Sequence, residues 1–163
     1  MTVWDEVVGQ RQVIEQLAAA ARDADALVSG GAEAGDGQWA GSSMTHAWLF
    51  TGPPGSRRST AARAFAAALQ CVSPDRALGG APGCGHCEGC HTTLVGTHAD
   101  VEVVRSVTLS IGVDQTRDLV RRSTLAPAGG RWQVIIMEDA DRLTEGAANV
   151  LLKAVEEPAP RTV

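Results

Sequence analysis

Four cysteines stand at a spacing that suits a metal ion: Cys71, Cys84, Cys87 and Cys90. Three thiols at three-residue intervals can wrap one side of a tetrahedral ion, and the distant thiol can complete the fourth corner. Four thiolates leave no open position for a substrate, so the spacing predicts a structural zinc site. His86 and His91 are neighbours that could substitute as ligands. Thiol redox chemistry is the alternative use of these cysteines.

The segment that carries the cysteines differs in character from the rest of the chain. Residues 71–91 contain many glycines and few apolar side chains. A segment this short cannot bury a core of its own and needs a cross-link to stabilise its fold. We therefore expect a small zinc-binding module at 71–91.

A second candidate site is a glycine-rich turn at 52–60, which lies between an apolar run and a helical pattern. Strand, turn and helix in this order are the context of a phosphate-binding loop, or Walker A motif. Two fixed positions of the consensus G-x-x-x-x-G-K-[ST] are met, by Gly52 and Ser59. Two are broken, because Arg57 stands for the second glycine and Arg58 for the lysine. The candidate nucleotide-binding residues are Gly52, Gly55, Ser56, Arg57, Arg58, Ser59 and Thr60.

The two arginines decide what this loop is expected to do. Arg57 places a long side chain where the backbone must approach the phosphates. Arg58 keeps the charge, but its planar fork is not equivalent to a compact ammonium. We expect no ATP hydrolysis and little binding of ATP with magnesium. Weak binding of sulfate or phosphate at the helix start remains compatible with the sequence.

Two carboxylates follow a second apolar run. Trp132 to Met137 reads as a strand buried on both faces, which is typical of a parallel sheet covered by helices. Glu138 and Asp139 come directly after it and resemble a Walker B motif, whose acids hold the water shell of magnesium and polarise the attacking water. The usual order is Asp then Glu, so the motif is degenerate. Surface acids that merely end the strand are the alternative.

The remaining pattern predicts the elements around these sites. Strands are expected at His46–Thr51, Val101–Val104 and Trp132–Met137. Helices are expected from Arg11 to about Leu27, from near Ser59 to Cys71, after Asp114 as N-cap and after Thr144 as N-cap. An apolar stripe on the last helix comprises Ala148, Leu151, Leu152 and Val155. Residues 29–45 are rich in Gly, Ala and Ser, and we expect a flexible loop there.

Composition excludes several classes of protein. The chain has 163 residues and a net charge of −5, so it does not coat nucleic acid, and any DNA contact must be local. Arg117, Arg121 and Arg122 on one helix could make such a contact with phosphates, although a solvated face is the simpler interpretation. No apolar run is long enough for a membrane span, and the acidic N-terminus is not a signal peptide. We therefore expect a cytoplasmic protein with no membrane partner.

Taken in order, several segments resemble the AAA+ subunits of bacterial clamp loaders, the delta-prime and gamma/tau subunits of DNA polymerase III. They are Val8-Gly9-Gln10, the altered loop at 52–60, the cysteine insertion, Gly96-Thr97-His98-Ala99-Asp100 and residues 149–158, Asn-Val-Leu-Leu-Lys-Ala-Val-Glu-Glu-Pro. The resemblance covers nearly the whole chain except the loop before the first strand. The cysteine spacing and the Leu-Leu-Lys-x-x-Glu-Glu-Pro block are its specific parts.

The resemblance implies a RecA-like AAA+ domain over 1–163: a parallel sheet with helices on both faces and a zinc insertion. It also implies a sensor strand, a lid domain and a collar domain beyond Val163. The sensor strand would lie in the sheet between the strand before the glycine-rich turn and the strand at 132–137. We therefore expect either that more residues follow or that another chain fills the place of this strand. Gamma/tau subunits hydrolyse ATP, whereas delta-prime subunits often carry a degenerate loop and act as a stator; Arg57 and Arg58 favour delta-prime. Implied partners are gamma/tau and delta subunits, the sliding clamp indirectly, and primed DNA.

Overall fold

Residues 1–30, 42–78, 80–129 and 131–163 are described by the computed structural model of the chain. The loop predicted at 29–45 therefore lies largely outside the described residues. Its first residue, Ser29, is the last residue of a helix instead.

In the described chain, three α-helices precede the first strand, one lies between the two strands and one follows the second strand. The α-helices are α1 Arg11–Ser29, α2 Arg58–Leu69, α3 Glu88–Val95, α4 Val113–Ser123 and α5 Glu145–Glu156. The strands are β1 Val101–Val104 and β2 Val134–Met137, and 3₁₀ helices cover Val3–Glu6, Pro74–Leu78 and Ala140–Arg142. The four predicted helices and the strands at 101–104 and 134–137 are confirmed. Helix α3 was not predicted; it begins within the cysteine segment and continues beyond it to Val95.

The two strands pair in parallel, so the predicted α/β class is confirmed. Val101 is opposite Val134, and Val104 is opposite Met137. Helices α2 and α4 both contact β2. Parallel pairing brings the carboxyl ends of both strands to one edge of the sheet, and the acids that follow β2 therefore lie beside the residue that follows β1.

The predicted strand at His46–Thr51 is wrong, because the segment forms no strand. Its side chains nevertheless alternate: Trp48 and Phe50 pack on the core, whereas Leu49 is 84% exposed. The ring of Trp48 meets that of Phe65 edge to face at 5.1 Å. A strand requires a hydrogen-bonded neighbour, and no described strand pairs with this segment. The apolar run predicted burial correctly but could not predict pairing.

The second edge of β2 is paired by the last residues of the chain. Gln133 N donates to Arg161 O at 2.8 Å, and Val163 N donates back to Gln133 O at 2.9 Å. Ile135 N then donates to Val163 O at 2.9 Å. The bridge between Gln133 and Thr162 is parallel. Residues 161–163 therefore run along β2 on the side opposite β1.

Two details of the last helices differ from expectation. The N-cap of α4 is Gly112, not Asp114, and the Asp114 side chain is 99% exposed. Thr116 explains the shift, since both its backbone N–H and its hydroxyl bond to Gly112 O. Thr144 does cap α5, where its side chain accepts from Ala147 N at 3.2 Å.

The apolar stripe of α5 is mostly exposed rather than buried. Leu152 is 52% exposed and Val155 is 39% exposed, whereas Ala147 is fully buried. Helix α5 packs against α4. The spacing of apolar residues correctly predicted an apolar face on α5. The packing shows that α5 contacts α4 through a different face, which includes Ala147.

A buried ion-pair cluster joins the start of the chain to its middle. Asp25 Oδ1 accepts from Arg131 Nη2 at 2.8 Å and from Arg76 Nε at 2.9 Å. Arg131 Nε also donates to Leu69 O at 2.9 Å, which satisfies a carbonyl at the end of α2. The Arg131 side chain is only 9% exposed and that of Asp25 17% exposed. The cluster therefore holds the end of α2 in place just before Cys71.

Asp100 organises the approach to β2. Its side chain is buried, and its two oxygens accept from Ala128 N and Gly129 N, both at 2.7 Å. Its backbone oxygen accepts from Val134 N at 2.8 Å. One residue at the end of the Gly-Thr-His-Ala-Asp turn thus aligns β1 with β2, because its side chain holds the turn before β2 and its backbone begins the ladder.

Candidate metal centre and nucleotide loop

The four cysteines converge on one point. The sulfur atoms of Cys71, Cys84, Cys87 and Cys90 all lie within 4.8 Å of one another. Sulfurs that surround a zinc ion tetrahedrally are separated by about 3.8 Å, so the cluster needs little adjustment to hold one. Neither His86 nor His91 belongs to this group. The described residues therefore offer an all-sulfur site that could bind a metal ion such as zinc.

Local structure positions the thiols. Cys71 follows α2, and Cys87 is the N-cap of α3. Backbone N–H groups point at the sulfurs: Cys87 N lies 3.3 Å from Cys84 Sγ, and Cys90 N lies 3.5 Å from Cys87 Sγ. Val72 N is 3.4 Å from Cys87 Sγ. Such bonds favour thiolates and orient them, as partners around a metal site do.

The electrostatics of the cluster also suit a cation. The Cys90 thiol donates to Cys71 and lowers the pKa of the Cys71 thiol to about 4. The same contact and burial raise the pKa of Cys90. A negative charge on the Cys71 sulfur is therefore favoured inside the cluster. A bound dication would displace the thiol protons that remain, since metal binding deprotonates its thiol ligands.

The cysteine module rests on the N-terminal segment. Val3 N donates to Gly83 O at 3.0 Å, and Trp4 Nε1 donates to Pro82 O at 3.0 Å. Val3 and Trp4 are both buried in the same core as Cys71 and Cys90. The module is thus packed into the domain.

Gly89 in α3 packs closely against Gln70, the residue that follows α2, so substitution of this glycine is expected to destabilise the protein. A Cβ at Gly89 would lie 1.9 Å from Gln70 O, a backbone atom that cannot swing away. We expect Gly89→Ala to destabilise the protein by about 2–3 kcal/mol through overpacking. Thermal unfolding measures the effect. Gly80→Ala is the control, since a Cβ there meets nothing within 4 Å; equal melting temperatures for both variants would contradict the prediction.

The glycine-rich turn is a tight turn directly before α2. Ser56 N donates to Pro53 O at 3.1 Å, which closes a turn, and Gly52 and Gly55 take positive φ angles of 153° and 83°. Arg57 also lies in the left-handed region, with φ 60° and ψ 31°, immediately before α2. Glycine adopts that conformation without the steric cost that arginine incurs.

The side chain of Arg57 binds the protein itself. Its Nη1 donates to Glu6 O at 3.3 Å, so the guanidinium reaches back to the N-terminal 3₁₀ helix. Arg58 and Ser59 are exposed in the first turn of α2, together with partly buried Thr60. The residue at the second glycine position thus has a left-handed backbone, while its side chain makes a structural contact.

The acids after β2 are placed differently from one another. Glu138 is largely buried, with 16% of its side chain exposed, and it is paired with two arginines. Arg63 Nη2 lies 2.9 Å from Glu138 Oε1, and Arg105 Nε lies 2.6 Å from Glu138 Oε2. Asp139 is exposed, in the left-handed region at φ 55°, before the 3₁₀ helix at 140–142.

Sequence reasoning missed both arginines. Arg63 lies one helical turn after Ser59 in α2, so it was counted only as part of that helix. Arg105 follows β1, and the register of Val104 against Met137 places it beside Glu138. The sequence did contain a signal for one of these pairs: Arg105 directly follows one predicted strand, and Glu138 directly follows another. The two residues lie side by side only if those strands are parallel neighbours.

The arginines of α4 are engaged in surface ion pairs: Arg117 with Asp114, Arg121 with Asp118, and Arg122 with Glu102. All three side chains are at least 55% exposed. Exposed pairs of this kind contribute at most about 1 kcal/mol each. The arrangement suits the solvated face, and contact with DNA phosphates stays a prediction.

The fold and its sites define a class of protein. A glycine-rich turn precedes α2, two acids follow a strand of a parallel sheet, and a segment with four clustered cysteines follows the helix. These are the features expected of the AAA+ subunits of clamp loaders. The chain belongs to the family described as DNA polymerase III, delta subunit, whose model matches residues 36–163.

Curated relatives agree with this family. The chain is 41% identical to DNA polymerase III subunit delta′ of Pseudomonas aeruginosa over 121 residues, which is 72% of this chain and 35% of that protein. It is 34% identical to subunit delta′ of Escherichia coli over 119 residues, 72% of this chain and 34% of that protein. Subunit gamma/tau of Mycobacterium tuberculosis is 37% identical over 116 residues, 71% of this chain and 19% of that protein.

The chain thus spans about a third of the length of the delta′ relatives and a fifth of the gamma/tau relatives that it matches. Its family is that of the clamp-loader subunits of DNA replication. Both kinds of subunit match at similar identity, so these similarities do not separate an active ATPase from a stator. Among the described residues, no helix is long and apolar enough to cross a membrane.

Proposed function

We propose that the chain is a delta-prime-like stator of the bacterial clamp loader, with a glycine-rich loop that does not hydrolyse ATP. The observation that carries this proposal is Arg57. It occupies the left-handed position of the second glycine, and its guanidinium is bound to Glu6 O. The loop therefore works as a rigid junction between the N-terminal segment and α2.

The rest of the loop supports the same function. A phosphate loop aims backbone N–H groups at the phosphates, and a Cβ at the second glycine position obstructs that approach. Arg58 replaces the compact ammonium that bridges the terminal phosphates. A subunit that does not turn over ATP can still hold its neighbours in position while the sliding clamp is loaded onto primed DNA. The partners proposed on this basis are gamma/tau and delta subunits, with the clamp contacted indirectly.

We also propose that the cysteines hold one structural zinc ion, in a module at 71–91 within an AAA+ domain at 1–163. The support is the group of four sulfurs within 4.8 Å and the N–H bonds that point at them. Bound zinc would cross-link the end of α2 to α3 and would leave no thiol pair free for redox chemistry. It would have no catalytic part, because four sulfurs close its coordination sphere.

An active ATPase of the gamma/tau type is the second candidate, favoured by the identity to gamma/tau subunits. Titration with a fluorescent ATP analogue and magnesium decides between the two, combined with a phosphate-release assay. We expect no turnover and no saturable binding at micromolar concentrations. Inorganic phosphate should compete equally well for any weak binding, because two arginines at a helix start attract anions in general. Micromolar affinity with turnover would overturn the stator proposal.

A further inference from the structure

Glu138 is the meeting point of three elements. It follows β2, Arg63 reaches it from α2, and Arg105 reaches it from the end of β1. Both carboxylate oxygens are used: Oε2 by Arg105 Nε at 2.6 Å, and Oε1 by Arg63 Nη2 at 2.9 Å and Arg105 Nη2 at 3.4 Å. These three residues are called the Glu138 ion cluster below.

The cluster occupies the position where a nucleotide-binding member of this fold needs a carboxylate for magnesium. Such an acid accepts hydrogen bonds from the water shell of the ion, and its negative charge offsets the charge of the ion. Here the charge of Glu138 is already offset by two guanidinium groups. The three side chains together carry one positive charge, so they repel an approaching dication where burial of Glu138 weakens screening. The residues present therefore do not fit magnesium.

We propose that Arg63 and Arg105 are internal counter-cations that exclude Mg²⁺ from the end of β2. They form a second block on nucleotide use, separate from the one at Arg57 and Arg58. The two ion pairs also connect α2 to both strands, so α2 is held in place without a bound nucleotide. This inference rests on the proposed stator function, because it explains why restoring the loop alone would not restore an ATPase.

The test separates the two blocks in the full chain. One variant repairs the loop with Arg57→Gly and Arg58→Lys. A second adds Arg63→Gln and Arg105→Gln, which free Glu138 and keep polar side chains. Binding of a fluorescent ATP analogue is measured with magnesium and with EDTA. For the variant with only the loop repaired, we expect the affinity for the analogue to differ less than about twofold between magnesium and EDTA. For the second variant, we expect magnesium to raise that affinity about tenfold.

Controls keep the outcome decisive. Arg105→Gln alone in the repaired loop provides a milder test, since the Arg105 side chain is 58% exposed and its loss should not prevent folding. It should show a magnesium effect of about threefold. Arg117→Gln in the same background is the matched control, because that arginine pairs with exposed Asp114. Circular dichroism confirms that each variant is folded.

Each result bears on one proposal or the other. A clear magnesium effect in the repaired loop with both arginines present would overturn the inference, as would no gain in any variant that lacks Arg105. Tight magnesium-dependent binding with turnover by the unaltered chain would instead overturn the stator function, before any variant is compared.

Discussion

Replacing Cys90 with serine is expected to abolish zinc binding and to lower the melting temperature by about 8–16 °C when zinc is in excess. With free zinc at about 1,000 times its dissociation constant, the bound ion stabilises the fold by about 4 kcal/mol. Cys90 is fully buried and lies in α3, so no nearby water can serve as a replacement ligand there. Metal analysis of the purified chain should fall from one zinc to none.

The effect is expected to spread beyond the module. The loop that carries Cys84 is bonded to Val3 and Trp4, and Cys71 lies two residues after the end of α2. Loss of the ion therefore loosens the N-terminal segment as well, which faster amide exchange at Val3 would report. His86→Ala is the matched control, since His86 lies between two of the cysteines but outside the sulfur cluster. Retention of one zinc by Cys90→Ser, with an unchanged melting temperature, would refute the proposed site.

Asp25→Asn is expected to destabilise the protein by about 3 kcal/mol, or about 6–12 °C in melting temperature. One oxygen of Asp25 accepts from both Arg131 and Arg76. The amide removes the charge that balances two guanidinium groups, and Arg131 is too buried for water to compensate. An unpaired buried charge costs far more than an exposed one. Thermal and urea unfolding measure the loss.

A surface pair provides the comparison for this prediction. Arg11 and Glu15 form an ion pair in α1 with side chains 93% and 65% exposed. Glu15→Gln should therefore change stability by less than about 0.5 kcal/mol. Similar losses for Glu15→Gln and Asp25→Asn would show that burial of the Asp25 cluster does not matter. Asp25 was not singled out from the sequence, because its two partners lie 51 and 106 residues away.

Much of the local structure was predictable. Helices α1, α2, α4 and α5 follow from apolar periodicity and caps, since these signals depend on residues within one or two turns. The strand at 134–137 was predictable because four consecutive apolar residues suit a position covered by helices. The strand at 46–51 was not, because its apolar residues secure burial but say nothing about a pairing partner. The N-cap of α4 shifted for a similar reason, as Thr116 bonds to Gly112.

The two candidate sites can be recognised as sets of residues without knowledge of the fold. The cysteine spacing is a local property: three of the four thiols lie within seven residues, so they are close together in any fold of the segment. The glycine-rich turn is local too, because its glycines and the helix after it set the backbone. In both cases short-range geometry dictated the result.

The chemistry open to these sites depends on contacts between residues that are far apart in the chain. Arg57 is bound to a carbonyl 51 residues earlier, and Glu138 is paired with arginines 75 and 33 residues away. Parallel pairing of β1 with β2 brings Arg105 to Glu138, and the packing of α2 brings Arg63. Charges that distant in the chain meet only through strand register and helix docking, which no local pattern encodes.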